Sequence, residues 1–432
     1  MRFRFDYSKT MLLKLGIGLP DNKGGCKFSN TFEQALEKIK AADALTLGAP
    51  KIVYLVGWQY LGHDDKYPAF FEVNEYAKRE QDATARDSLL WLMREARRYH
   101  TTVSLHINLS DAYPDSPLWD TYLQNDLILC KANGKPKPTG VWNGRTAYQV
   151  RFAEEYKSGF FQKRAEQLLE LVPELQTAGT IHVDAFFVRR GKNTTIAEEK
   201  KYRRKMIEWF LDKGIDVTSE FIYRELACGY RSLWGKSDTV GLIPAVWNLR
   251  MTQRDYLRYP PQLLAGGQLA MGIQWDKDLQ YLFYGNAHGE QNFGLNGAAF
   301  QQAFTREFAL KTVPYLFLNA HKLRSVSGVG KARRAHFDGG VQTAVRDQAI
   351  YENDRRLKSG ETLCLPVAWQ ENAWYAFSGS GGECEVYVPF EKVCVYRVGA
   401  EGEHLLTEAK TNRNLLKLTM EKDTGYRIEK QS

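Results

Sequence analysis

The chain has no run approaching roughly 18 consecutive apolar residues, which excludes a membrane-spanning helix of ordinary kind. It has no Gly-x-x-x-x-Gly-Lys-Ser/Thr loop, no Gly-x-Gly-x-x-Gly opening a helix after a strand, and no His-Glu-x-x-His, so nucleotide-binding and metalloprotease readings lose their main support. Cysteine is sparse. The six cysteines, at 26, 130, 228, 364, 384 and 394, include no Cys-x-x-Cys and no pair closer than ten residues, a spacing that fits neither a zinc site nor a dense disulfide framework. Neither sign of charge dominates: 59 basic against 51 acidic residues leave +8 spread along the chain. The densest basic runs, Lys200–Lys205 on an expected helix and Lys331–His336 in an expected linker, read as solvated surface, and neither a nucleic-acid nor a membrane partner is expected. The first apolar stretch, Met11–Leu19, is interrupted by Lys14 and followed by no small-residue cleavage site. It reads as a strand rather than a signal peptide, so the expected location is the cytoplasm, or outside the cell if a leader has been removed.

What is present is a rhythm. From about residue 30, amphipathic helical stripes alternate with short apolar runs. Thr31-Phe32-Glu33-Gln34 resembles a capping box, and Phe32, Ala35, Leu36 and Ile39 recur at helical spacing before the strand-like Lys51–Gly57. Leu89, Leu92, Met93 and Ala96 precede Thr102–Ile107; Phe161, Ala165, Leu168, Leu169 and Val172 precede Thr180–Phe186; Met206, Trp209 and Phe210 precede Ile215–Glu220. Further strand candidates are Gly241–Trp247, Leu269–Trp275 and Pro314–Leu318, which with Leu12–Gly18 bring the count to eight. Eight strands alternating with helices favour a (β/α)8 TIM barrel over an open doubly wound sheet, which would want a phosphate-binding glycine turn.

After about residue 325 the helical stripes give way to short alternating runs separated by Gly, Asn and Asp. The expected division is therefore a catalytic barrel over 1–325 and a C-terminal β-sandwich over 326–432. Ala373–Phe377, the turn Ser378–Gly382 and Glu383–Val388 read as a hairpin, and Val393–Val398 and Asn414–Leu418 as further strands.

In a barrel of this type the reacting groups gather where strands end. Those ends carry His63-Asp64-Asp65, His106 with Asn108, Asp184, Glu220, Trp247, and Gln274-Trp275. Carboxylates, amides, histidines and tryptophans around one mouth suit a carbohydrate, whose hydroxyls take polar partners and whose apolar ring face stacks on aromatics. Asp184 and Glu220 lie one βα unit apart, so adjacent strands would hold them near the roughly 5 Å separation of a retaining glycosidase, with Asp184 as nucleophile and Glu220, kept protonated by its neighbours, as general acid and later base. Other readings stay open for each residue. His63-Asp64-Asp65 is either an Asx-capped turn or a sugar-binding cluster, His106 either a core histidine or a site residue, and Trp142, Trp247 and Trp275 each packing or platform. The whole chain reads alternatively as a catalytically silent carbohydrate-binding barrel. An isomerase or aldolase on a phosphorylated sugar would want a strand-end lysine and a phosphate-binding glycine loop, neither of which is evident. No metal and no cofactor is expected, and nothing speaks to the oligomeric state.

The segment Tyr54-Leu55-Val56-Gly57-Trp58-Gln59-Tyr60-Leu61-Gly62-His63-Asp64-Asp65-Lys66-Tyr67-Pro68 resembles the Val-Gly-x-Gln-x-x-Gly-His-Asp-Asp-x-Tyr-Pro motif of glycoside hydrolase family 101, the endo-α-N-acetylgalactosaminidases. Leu105-His106-Ile107-Asn108 is similar to that family's His-Ile-Asn strand, Ile181-His182-Val183-Asp184 to the strand bearing its nucleophile, and Thr218-Ser219-Glu220 to the one bearing its acid/base. The resemblance runs over roughly residues 10 to 300. It implies a retaining enzyme acting on α-linked N-acetylgalactosamine at serine or threonine of mucin-type glycans, hence a carbohydrate or glycopeptide substrate. It also implies that Asp64 binds the sugar at the cleavage subsite and that Gln274 and Trp275 fall near the same sugar. Where the family carries a tryptophan-rich loop over the disaccharide, Gly140–Arg145 has one tryptophan, Trp142, in place of two.

Overall fold

The computed structural model describes residues 3–21, 23–221, 243, 253–258 and 276–431. Five parallel strands form its first sheet: β1 (Met11–Gly16), β2 (Lys51–Val56), β3 (Thr101–Asn108), β4 (Thr180–Asp184) and β5 (Asp216–Ser219). Between them run α1 (Phe32–Leu45), α2 (Ala85–Glu95), α3 (Phe160–Leu171) and α4 (Ile196–Asp212). The capping box forms as expected: the Thr31 side chain accepts from the Gln34 N–H, and the Gln34 side chain accepts from the Thr31 N–H. Lys200–Lys205 lies on α4.

Each strand pairs with the one before it, giving the order β1-β2-β3-β4-β5 with no reversal. A doubly wound sheet reverses at a switch point, whereas a β/α barrel advances in one direction as this sheet does. The candidates Gly241–Trp247 and Leu269–Trp275 lie outside the described residues. The expected eighth strand, Pro314–Leu318, is instead part of a helix, Val313–Asn319, which continues the helix Gly297–Glu307 through a π-turn at Phe308–Thr312. Its residues are buried on every side, and a short wholly apolar run carries no period that would separate helix from strand. The chain returns beside β1 earlier than expected, at His288, whose carbonyl accepts from Lys14 N at 2.9 Å, while Asn286 Nδ2 donates to Thr10 O.

From Leu323 onward the structure is antiparallel β, with ten strands in one sheet and two, Gly382–Tyr387 and Leu415–Met420, in a second. The expected hairpin does not form. Ala373–Ser378 pairs with Thr362–Pro366 and Thr424–Lys430, whereas Gly382–Tyr387 crosses to pair with Leu415–Met420. Ala373–Ser378 is buried along its whole length and needs cover on both faces. The turn supplies the crossing: the Ser378 hydroxyl accepts from Gly381 N, and Gly381 and Gly382 have φ of 71° and 92°. The segment expected as a linker, Lys331–His336, contains a short turn and most of the strand Arg334–Phe337.

One apolar core runs from β1 to the C-terminal strands. At their junction Trp369 Nε1 donates to the carbonyls of Thr46 and Leu47, just past the end of α1. Among the described residues no helix is long and apolar enough to cross a membrane.

Candidate active site

The loop after β2 is shaped by two glycines. Gly57 and Gly62 have φ of 79° and 131°, and a Cβ on either would stand 2.0 or 2.2 Å from the carbonyl oxygen of Gly18. With hydrogen in that place, His63 N donates to the same oxygen at 2.8 Å, folding the loop over the end of β1. Arg145 then clamps it: Nη1 meets Asp65 Oδ1 at 2.5 Å and Nη2 donates to Asp64 O at 2.6 Å. Asp65 also accepts from Leu61 N, so both of its oxygens are engaged within the loop. Arg145 belongs to the hairpin Pro138–Trp142/Arg145–Gln149, whose tip is fastened by Asn143 Nδ2 donating to His63 O. Trp142, on that tip, folds against Gly140 and keeps 46% of its surface exposed at the rim.

Three adjacent strands bring the remaining groups into one row. Asn108 is in register with Asp184, and Ser219 with Val183, so Glu220 follows beside Asp184. Asn108 is held by accepting from Ser110 N and Asp111 N, and its Nδ2 donates to Asp111 Oδ2 at 3.0 Å and to Asp184 Oδ2 at 3.4 Å. Burial pushes Asp111 up to about 6. His63 Nε2 lies 3.4 Å from Asp64 Oδ2 and 4.0 Å from Asp184 Oδ2. Glu220 Oε1 is 3.9 Å from Nε2 of both His106 and His182, and His182 is oriented from behind by Thr218 Oγ1 at 2.8 Å from its Nδ1.

Glu220 Oε1 also sits 2.5 Å from Nζ of Lys14, a residue in the middle of β1. Asp184 and Glu220, on adjacent strand ends, are close enough for each carboxyl to act on the other's charge. Burial, followed by the charge of Glu220, holds Asp184 well above the usual carboxylate range. Burial alone would raise Glu220 as well, but the Lys14 ammonium and the two imidazoles overcome it and hold Glu220 well below its ordinary value. In this unliganded site, then, the neighbours of Glu220 favour its ionised form, opposite to the expectation drawn from its sequence. His106 and His182 are pushed down by burial, His182 to about 4, and stay neutral.

The structure thus brings together His63, Asp64, His106, Asn108, Asp184 and Glu220, sets Trp142 at the rim, and turns Asp65 into the loop. Trp247, Gln274 and Trp275 lie outside the described residues. Lys14, His182 and Arg145 were not anticipated as site residues. The available signal for Lys14 was a lysine on a strand whose other residues are apolar.

Two groups of donors gather closely enough to suggest a metal: His106, His182 and Glu220, and His63, Asp64 and Asp184, each within 4.8 Å. The first already encloses the Lys14 ammonium against Glu220; the second shares Asp184, whose carboxyl is held well above the usual carboxylate range by burial and by the charge of Glu220. Neither is assigned as a metal site.

The sequence model of glycoside hydrolase family 101, endo-α-N-acetylgalactosaminidase, matches residues 22–244. The chain belongs to this family. The family 101 match spans β2 to β5 and so includes the His63–Asp65 loop, Asp184 and Glu220. Among solved structures the chain is similar to the α-N-acetylgalactosaminidase NagBb from Bifidobacterium bifidum. The ligand-free form aligns with a TM-score of 0.52 and 16% identity over 79% of this chain and 58% of that one. The GalNAc complex aligns with a TM-score of 0.53 and 14% identity over 80% and 57%. The chain therefore spans under three-fifths of those proteins, and at such identity the likeness speaks to the fold. No curated protein matches.

Proposed function

We propose that this family 101 chain is a retaining α-glycosidase that releases α-linked N-acetylgalactosamine, or a related α-galactoside, from glycoconjugates by double displacement. The observation that carries the reading is the Asp184–Glu220 pair, two carboxyls that end adjacent parallel strands, Ser219 being in register with Val183, and that act on each other's charge. An inverting enzyme needs carboxyls about 6.5 to 9.5 Å apart to admit a water, whereas neighbouring strands lie about 4.8 Å apart, so adjacency favours retention. Double displacement requires one proton on the pair. On substrate binding that proton passes to Glu220, which gives it to the leaving oxygen as the Asp184 carboxylate attacks the anomeric carbon. Water then attacks the glycosyl-Asp184 ester, with Glu220 as base.

Asn108 would keep the Asp184 oxygen in line, and His63, Asp64 and His106 would meet the sugar. His63 Nδ1 and His106 Nδ1 are buried with no hydrogen-bond partner among the described residues, as groups that await a ligand hydroxyl would be. Trp142 would form the rim against the rest of the glycan; Trp247, Gln274 and Trp275 are assigned to the sugar by sequence position and resemblance. NagBb, an α-N-acetylgalactosaminidase by name, is in keeping with this substrate class. We read the five-stranded sheet as part of a closed (β/α)8 barrel over 1–325 and residues 326–432 as a β-sandwich packed on it. The unreversed strand order and the return of the chain beside β1 support that reading.

The test is hydrolysis of an aryl α-N-acetylgalactosaminide and a glycopeptide, followed by NMR. The α-anomer is expected first, and Asp184→Asn is expected to abolish turnover while preserving the fold. An initial β-anomer would overturn retention, and sugar binding without release by the unaltered protein would overturn the enzymatic reading.

A further inference from the structure

We propose that Lys14 is a positioning residue that acts through Glu220, its ammonium held 2.5 Å from the Glu220 carboxylate in a largely buried site so that the resting charge of the carboxyl pair is drawn to Glu220. This rests on the reading of Asp184 and Glu220 as the reacting pair.

Lys14 cannot easily leave. Its backbone is fixed on both sides, in register with Tyr54 of β2 and by donation to His288 O. Its side chain is 7% exposed, that of Glu220 14%, and their charged atoms are 2.5 Å apart. The attraction outweighs the burial that would otherwise lower the lysine's proton affinity. Among the described residues, the other groups facing this point come from several elements. The loop after β2 contributes His63 and Asp64; β3 contributes His106; β4 contributes His182 and Asp184; the segment beside β1 contributes His288 and Glu290; and the following π-turn contributes Lys311. Burial keeps the imidazoles of His106, His182 and His288 neutral, and Lys311 pairs with Glu307 at 2.7 Å. Lys14 is therefore the permanent cation nearest the carboxyl pair among the described residues.

A cation at this distance disfavours every added proton on the pair. It suppresses the doubly protonated form, which lacks a nucleophile, and eases loss of the last proton, which removes the acid. Both limits of the working pH range are then set by Lys14.

The experiment compares pH profiles of kcat/KM for the unaltered chain, Lys14→Met, Lys14→Gln and Lys14→Arg on an aryl α-N-acetylgalactosaminide. Removing the charge is expected to move both limbs upward by about 1 to 3 pH units, while Lys14→Arg leaves them near their original positions. A rate lowered equally at all pH values with unmoved limbs would overturn the proposal in favour of packing. A raised KM with unmoved limbs would overturn it in favour of a sugar contact. If the unaltered chain does not turn over, the proposed function fails by itself, and carbon-13 NMR titration of the carboxyls in the unliganded protein decides the Lys14 question. Upward movement of both protonation steps in Lys14→Met or Lys14→Gln supports the proposal, and superimposable titrations overturn it.

Discussion

Gly62→Ala tests whether the His63–Asp64 loop is positioned by the backbone contact that only hydrogen allows. The added Cβ would stand 2.2 Å from Gly18 O, 2.3 Å from Gly18 C and 2.5 Å from Leu19 N, all backbone atoms that no rotamer change can move aside. Reaching ordinary contact at roughly 3.5 Å requires an opening of about 1 Å. That opening breaks the 2.8 Å bond from His63 N to Gly18 O. An L residue at φ of 131° adds strain of about 1 to 3 kcal/mol, and the lost bond about 0.5 to 1.5 kcal/mol. Together these put the local cost at about 2 to 4 kcal/mol. His63 Nε2 lies 4.0 Å from Asp184 Oδ2, and a misplacement of about 1 Å in a reacting site costs on the order of 100-fold. The assay is kcat/KM on the aryl glycoside with a thermal melt alongside. Gly134→Ala is the control, since Gly134 also has positive φ but nothing stands within 4 Å of its Cβ position. It should lose a little stability and no activity. If Gly62→Ala turned over like the control, the loop would not be held by this contact and the argument for its two glycines would fail.

Arg145→Met leaves the fully buried Asp65 with Leu61 N as its remaining donor. Because Arg145 itself is 23% exposed, the expected loss is about 2 to 3 kcal/mol, below that of a fully buried pair. Thermal melts and KM read it together, and an unchanged KM would show that the clamp does not shape the site. Glu199 is buried at the start of α4 against the N–H groups of Phe152 and Ala153, and burial raises it from 4.5 to about 7. Folding therefore takes up a proton between those values, and this group's contribution to stability falls as pH rises through that window. Glu199→Gln should flatten that fall in denaturant melts, and equal slopes in the two proteins would refute it.

The four helices and five strands of the first sheet were legible because each carries its own period: the 3.6-residue stripe of Leu89, Leu92 and Met93, and the unbroken apolar run of Ile52 to Val56. The polar groups that the structure gathers at the ends of those strands were legible for the same reason, since a polar residue that ends an apolar strand stands out. Failures came where periodicity carried no information. Val313–Leu318 is apolar throughout and became helix. Ala373–Ser378 and Gly382–Tyr387 are joined by a turn rich in glycine, yet which sheet each joins depends on what covers their faces, and turn chemistry does not encode that. Asp65 looked like its neighbour Asp64, but its fate was decided by Arg145, 80 residues away.

Glu220 makes the same point about charge. Read along the chain, its neighbours are Ser219 and Phe221, and nothing there opposes the protonated form that an acid catalyst needs. In space its nearest charge is Lys14, 206 residues earlier, and Coulomb energy follows distance rather than sequence separation. The proposed chemistry is compatible with this reversal, because double displacement needs one proton on the pair, not a particular resting place for it. Under the proposed mechanism a lysine can sit against the acid/base residue without disabling it: the ammonium lowers the pair's hold on a second proton, while the first remains to be passed from Asp184 to Glu220 when the leaving oxygen presents itself.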